Sequence, residues 1–208
     1  MRCTICLSKS RLRSNHNSIK MTDKNSLRAL YKKKRLELTL AELTKANSRI
    51  FEQFQKIDFS ECNLIHLYTP IAKWNEPDTV LLRDFLYAIG KRCATGIVVE
   101  NSTEMQQVEI FHDTQFRKNN WDIPEPVEAK TIAVSEIDLV VVPLLCCDKE
   151  GNRVGYGKGF YDVFLRKCKP NVQAIGLSFF EPLREVISAE AHDVKLSGLL
   201  SPNQFYRF

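Results

Sequence analysis

The sequence predicts an α/β protein of three layers, α/β/α, with a mostly parallel sheet and a helical hairpin in front of it at the N-terminus. Three observations lead there. Short apolar runs of strand length alternate with helical stripes along the chain. The most apolar run, Ile137 to Leu145, reads as a strand buried on both faces, as the central strands of parallel sheets are. A glycine-rich stretch lies between that strand and the next helical stripe, which is where open α/β sheets bind ligands.

Taken in order, Ser26 to Glu37 reads as a short helix with Leu27, Leu30 and Tyr31 on one stripe and Lys32 to Arg35 on a basic, solvated face. Thr39 to Glu42 has the spacing of a capping box, and Leu43, Ala46, Ile50, Phe51 and Phe54 continue a second helical stripe. Asn63 to Tyr68 is a compact apolar run that suits a buried strand ending in a loop at Thr69-Pro70. Thr79 to Ile89 is a helix with a glycine C-cap signal at Gly90. Thr95 to Glu100 and Gln107 to Phe111 are strands, the second alternating and so placed at an edge. Phe160 to Lys167 is helical and stops before Pro170, and Gln173 to Phe179 is a further strand. His66 reads as core-facing rather than catalytic, Trp74 and Trp121 as cover for the core with stacking on a ligand as the alternative, and Cys146 and Cys147 as inert thiols at the end of a buried strand.

Composition narrows the function classes. The chain has 208 residues, 44% hydrophobic and 26% charged, which excludes disordered, collagenous and coiled-coil proteins. At this length one core buries roughly 70% of the surface that the unfolded chain exposes, so residues 21 to 208 are expected to form a single domain. The longest apolar stretch falls far short of the ~20 residues that cross a bilayer, so no membrane partner is expected. The net charge of +5 is carried by Arg2, Lys9, Arg11, Arg13 and Lys20, and without them the chain has 25 basic and 25 acidic residues. A neutral body lacks the basic surface that nucleic acid requires. Residues 1 to 20 read as a disordered or non-native basic tail, with a transit peptide as the competing reading. Cys3-x-x-Cys6 has half the spacing of a zinc site and no second half. Seven scattered cysteines and no secretory core point to a reducing, cytoplasmic setting with free thiols.

The informative stretch is Asp148-Lys-Glu-Gly151-Asn-Arg153-Val154-Gly155-Tyr156-Gly157-Lys158-Gly159-Phe160-Tyr161-Asp162. Glycines at 155, 157 and 159 permit positive φ, so that consecutive backbone N–H groups can turn toward an anion at the helix start, and Arg153 and Lys158 add charge. Asp162, in the first turn, could reach a magnesium ion that bridges phosphates. The spacing is neither a Walker A loop nor a dinucleotide fingerprint: Gly151 and Gly157 are separated by five residues, and Lys158 is followed by Gly.

The same run, with Asp138-Leu-Val-Val-Val-Pro143 before it, resembles the signature of the 5-formyltetrahydrofolate cyclo-ligase family, and the likeness extends over nearly the whole chain after Met21. Lys24-x-x-x-Arg28 resembles that family's N-terminal basic pair, and Ile123-Pro-Glu-Pro126 its Pro-Glu-Pro element. The resemblance implies ATP as co-substrate and Mg²⁺ as cofactor. It places ATP on Lys24, Arg28 and Arg153 to Tyr161, with Arg153 and Lys158 as the catalytic pair and Asp162 and Asp193 toward metal. For the folate, which can be polyglutamylated, it implies Ile71, Glu76 or Asp78, and Tyr156. The loop Thr69 to Thr79 is longer than the family's commoner form and offers both acids. The implied reaction is ATP-dependent closure of 5-formyltetrahydrofolate to 5,10-methenyltetrahydrofolate by a monomer, through phosphorylation of the formyl oxygen. A non-catalytic folate or nucleotide binder and a sugar-phosphate isomerase are the alternatives. An isomerase has no need of Lys24, Arg28 and Asp162 together, and a degenerate binder is expected to have lost Arg153, Lys158 or Asp162.

Overall fold

The computed structural model describes residues 23–208; the basic segment and the Cys3, Cys6 pair lie outside the described residues. Two helices come first, α1 (Lys24–Leu36) and α2 (Leu40–Phe54), followed by β1 (Leu64–His66), α3 (Val80–Ala88), β2 (Arg92–Val98) and β3 (Met105–Ile110). A small hairpin, β4 (Phe116–Lys118) with β5 (Pro124–Pro126), precedes the central strand β6 (Leu139–Pro143). A second hairpin, β7 (Cys146–Cys147) with β8 (Arg153–Val154), leads to α4 (Phe160–Lys167), β9 (Gln173–Leu177), β10 (Gly198–Leu200) and β11 (Phe205–Arg207).

The caps explain where the helices begin and end. Asp23 accepts from Ser26 N–H at the start of α1, and at α2 Thr39 and Glu42 close the expected capping box. Helix α3 ends in a Schellman motif, with Gly90 at φ +73° donating to Tyr87 O and Lys91 donating to Leu86 O. The sheet has seven strands in the order β11-β10-β9-β6-β1-β2-β3. Its five inner strands are parallel, and β3 and β11 are antiparallel edges. The edge position of β3 agrees with its alternating sequence; β10, β11 and both hairpins were not expected.

Alternation along the central strands sorts the core. Ile65, Leu139, Val141 and Ile175 face α2 and α3 through Ile50, Phe54, Leu82 and Leu86. Leu64, Val140, Val142 and Ala174 face Phe164 and Leu165 of α4. These are the three layers. The N-terminal helices follow each other as expected, yet their stripes enter different cores: α2 lies on the sheet, while Leu27 and Tyr31 of α1 pack on Leu145, Cys146, Val154 and Ile187 at the β7–β8 hairpin.

This order positions the site. From β1 the chain crosses through α3 to β2 on one side, and from β6 through α4 to β9 on the other. The loops leaving β1 and β6 therefore part above two adjacent parallel strands, which opens a crevice at their carboxyl ends.

Candidate active site

A cleft of about 1220 Å³ fills that crevice. One wall is the loop after β8. Asp148 and Gly151 shape the turn that leads into it: Asp148 accepts from the N–H groups of Glu150, Asn152 and Ile187, and a side chain at Gly151, φ +81°, would meet Leu196 O at 2.6 Å. Gly157 and Gly159 follow at φ +86° and +73°; Gly155, expected to share this geometry, is not at positive φ. Among the described residues the backbone N–H groups from Gly157 to Tyr161 have no hydrogen-bond partner. Five such donors at the start of α4, beside the exposed Lys158, make a concave anion site.

Helix α1 closes this wall from the side. Arg28 donates from Nε to Gly155 O at 2.9 Å, and its guanidinium lies 3.2 Å from where a Cβ at Gly157 would stand, so a side chain there would displace it. Lys24 Nζ sits 2.5 Å from Asp193 Oδ2 and 3.6 Å from Glu190. Burial acts to raise the Asp193 pKa, but Lys24 and the Glu190 N–H outweigh it and hold it below the usual carboxylate value. Arg153 pairs with Asp162 Oδ1 at 2.6 Å and donates to Val194 O. The Val194 N–H also donates to that Oδ1, at 3.1 Å, so Asp162 keeps its Oδ2 without a partner among the described residues.

The opposite wall is the Thr69 to Thr79 loop. Tyr68 Oη donates to Pro77 O and Thr79 Oγ1 to Tyr68 O, both at 2.7 Å, tying the loop's ends together. Inside it Glu76 is buried: Oε2 accepts from Ile71 N–H at 2.7 Å, and Oε1 accepts from Tyr156 Oη at 2.5 Å. Burial pushes the Glu76 carboxyl above its ordinary pKa, against Tyr156, Ile71 and the charge of Arg35. Across the mouth, Lys73 pairs with Asp122 in the β4–β5 hairpin, and Glu125 of the Pro-Glu-Pro element docks that hairpin by accepting from Val98 N–H at 2.9 Å. On the floor His66 is 0% exposed and core-facing as expected, its Nδ1 2.7 Å from Gln107 Oε1 and its Nε2 3.1 Å from Tyr161 Oη. Burial lowers its pKa to about 4, so the ring is neutral: Nδ1–H donates to Gln107, and Nε2 accepts from Tyr161.

The cleft thus gathers Lys24, Arg28, Arg153, the loop from Gly155 to Asp162, Ile71, Glu76 and Asp193. Two expected residues stand apart. Val154 is buried against α1 with its carbonyl accepting from Leu145 N–H, and Asp78 faces a separate depression and caps α3 by accepting from Val80 N–H at 2.8 Å. Of the two readings for Trp74 and Trp121, core cover fails: both line the cleft, Trp121 at 49% exposed and Trp74 under Lys32 Nζ, 3.4 Å from the ring centroid. Cys146 and Cys147 are buried, free and poor thiolates, with burial pushing Cys146 up to about 12. Arg35 was missed. The basic run Lys32 to Arg35 predicts a solvated face, and Arg35 is 2% exposed. The signal was its spacing, for Leu27, Tyr31 and Arg35 fall on one stripe four residues apart.

Comparisons with known proteins agree with the resemblance. The 5-formyltetrahydrofolate cyclo-ligase family matches residues 20–202. A 5-formyltetrahydrofolate cyclo-ligase of Mus musculus is 29% identical over 143 residues, 62% of this chain and 70% of its own. A Schizosaccharomyces pombe protein described as a probable 5-formyltetrahydrofolate cyclo-ligase is 28% identical over 201 residues, 88% of this chain and 97% of its own. The solved structure of Aquifex aeolicus 5,10-methenyltetrahydrofolate synthetase superimposes with a TM-score of 0.74 at 24% identity, covering 88% of this chain and 92% of that one, and shares the fold. The chain belongs to the 5-formyltetrahydrofolate cyclo-ligase family, and is an enzyme of the ATP-dependent conversion of 5-formyltetrahydrofolate to 5,10-methenyltetrahydrofolate.

Proposed function

We propose that the glycine loop holds the ATP phosphates, the Glu76 loop holds the folate, and the formyl oxygen is phosphorylated where the two walls meet. The observation that carries this is the row of unpartnered N–H groups from Gly157 to Tyr161, facing a cleft whose other wall presents the buried Glu76. The N5 formyl group is amide-like, with a weakly electrophilic carbon and an oxygen that leaves poorly. Attack of that oxygen on the γ-phosphorus forms the O–P bond and expels ADP. The N10 lone pair then adds to the activated carbon, N10 loses its proton, and the carbon–oxygen bond breaks with release of phosphate. The product is the 5,10-methenyl bridge. Such transfer asks for positioning and charge neutralisation rather than a protein nucleophile.

The roles follow from placement. Lys158 is free of protein partners among the described residues and is the cation for the transferred phosphoryl group; Lys24 and Arg28 reach the nucleotide from α1. Arg153 holds Asp162 and the chain at Val194, and so sets the loop's shape. Magnesium fits a site made by the phosphates, water and Asp162 Oδ2, and would supply charge neutralisation on the phosphoryl oxygens. Asp193, paired with Lys24, would add a second carboxylate to that site. No group of three or more His, Cys, Asp or Glu side chains among the described residues could hold a metal by itself, which suits an ion that arrives with the nucleotide.

Of the two acids in the folate loop, Glu76 is the one that meets the pterin, because Asp78 faces away. Ile71 and Tyr156 line the same part of the cleft, and Lys73 at its mouth suits the acidic glutamyl tail, single or extended. Both walls come from one chain, which supports a monomer as the active unit. Its free thiols suit a cytoplasmic setting, and no described helix is long and apolar enough to cross a membrane. Glu76→Gln should raise the folate KM by about tenfold or more, as expected when a charge-assisted hydrogen bond is lost, while Asp78→Asn leaves it within about twofold. Steady-state kinetics in folate at saturating ATP decides this; the opposite ranking would assign the pterin to Asp78.

A further inference from the structure

Arg35 is a buried cation without an ion-pair partner in contact among the described residues. It donates to Leu144 O at 3.3 Å and to Tyr156 Oη, its Cζ lies 5.5 Å from the Tyr156 ring centroid, and its Nε is buried with no partner among the described residues. Taking a guanidinium out of water costs several kcal/mol unless something charged answers it. The answering charge is Glu76, one hydroxyl away, because Tyr156 Oη accepts from Arg35 and donates to Glu76 Oε1. The chain of bonds joins three elements through one side chain. Arg35 stands in the last turn of α1, Tyr156 lies between Gly155 and Gly157 of the phosphate loop, and Glu76 belongs to the folate loop, which is further held to α1 by Asn75 Nδ2 donating to Arg35 O at 3.3 Å.

We propose that Arg35 is a positioning residue for the folate subsite: through the Tyr156 hydroxyl it holds the Glu76 carboxylate in place and ionised, and it clamps the phosphate loop to the folate loop. This rests on the reading that Glu76 binds the pterin. A carboxylate can accept from both the ring N–H and the neighbouring amino group of a pterin only while it is deprotonated. The titratable and charged groups that face Glu76 are Arg35 from α1, Tyr68 at the end of β1, Tyr156 in the loop and Tyr161 in α4. Burial raises the pKa of all three tyrosines, so they stay neutral and Arg35 is the one cation among these groups. Without it, burial acts on Glu76 unopposed by charge, and the carboxylate takes up a proton at higher pH.

The test is calorimetric titration of 5-formyltetrahydrofolate into the ATP-free protein, at several pH values, for the parent, Arg35→Met, Arg35→Lys, Tyr156→Phe and Glu76→Gln. Arg35→Met is expected to weaken binding about tenfold near neutral pH, and further as the pH falls, because protonation of Glu76 starts earlier. Arg35→Lys should restore a large part of the affinity and of the parental pH profile. Tyr156→Phe, which removes one hydroxyl and leaves the packing intact, should weaken binding even if Arg35→Met does not fold. A purely structural Arg35 would lower the melting temperature and leave the affinity and its pH profile unchanged in Tyr156→Phe and in the folded Arg35 variants, and that overturns the proposal. If Glu76→Gln binds as tightly as the parent, the Glu76 reading falls and the proposal with it. If Glu76→Gln is weak while Tyr156→Phe and the Arg35 variants bind normally, the proposal alone falls.

Discussion

His66 shows how a single polar residue can sit beneath an active site without serving it. Its two ring nitrogens are both engaged, by Gln107 and by Tyr161, and burial lowers its pKa from 6.5 to about 4. The unfolded chain therefore binds a proton at His66 in the window between those two values, and the folded protein does not. Stability must fall as the pH drops from 6.5 toward 4, and recover as it rises through the same range. Ring-proton NMR should show no titration of His66 between about pH 5 and 8, where an unperturbed histidine titrates. A midpoint inside that range would mean that the ring is hydrated and available to substrate. The residue scale also marks the limits of sequence reading. The glycine loop was legible because positive φ and close approach need glycine. Arg35 was not, because a basic run predicts solvent, and only the fold turns that position inward.

At the scale of elements, the entry to the crevice depends on the register of two strands. Asp138, just before β6, accepts from the N–H groups of Asn63 and Leu64 at 2.7 and 2.9 Å and pairs with Lys169, so it pins the start of β1 to β6. Burial acts to raise its pKa; Lys169 and the two N–H groups hold it below the ordinary value instead. That contribution to stability is present above the unfolded pKa and is lost as the pH falls through the folded one. Asp138→Asn should cost about 1–3 kcal/mol, as the loss of a charge-assisted network does, and should remove part of the acid sensitivity. Urea unfolding at neutral and acidic pH measures both; an unchanged midpoint would mean that β1 and β6 align without the tie. Here the sequence was informative where periodicity is long. The capping box at Thr39, the Gly90 stop and all of α4 were legible, and so was the central strand. The hairpins β4–β5 and β7–β8, the inner strand β10 and the edge strand β11 were not, because two or three paired residues carry no period.

The whole molecule divides the chemistry between two walls that the sheet's strand order sets apart. The wall proposed for the phosphates follows β8 and the wall proposed for the folate follows β1, and α1 reaches across both with Lys24, Arg28 and Arg35. Family membership was legible from one continuous run, whereas the meeting of that run with Glu76 across 80 residues could only be seen in the fold. Within the cleft the charges answer one another in pairs, Lys24 with Asp193 and Arg153 with Asp162, which offsets the cost of gathering them there. The central claim is that the enzyme transfers phosphate to the formyl oxygen at the meeting of the two walls. It is tested most directly by turning over 5-formyltetrahydrofolate labelled with heavy oxygen in the formyl group, with ATP and Mg²⁺, and weighing the phosphate released. Label found in the phosphate, one atom for each methenyl bridge formed, is the predicted result; unlabelled phosphate, with the label lost to water, would contradict the account.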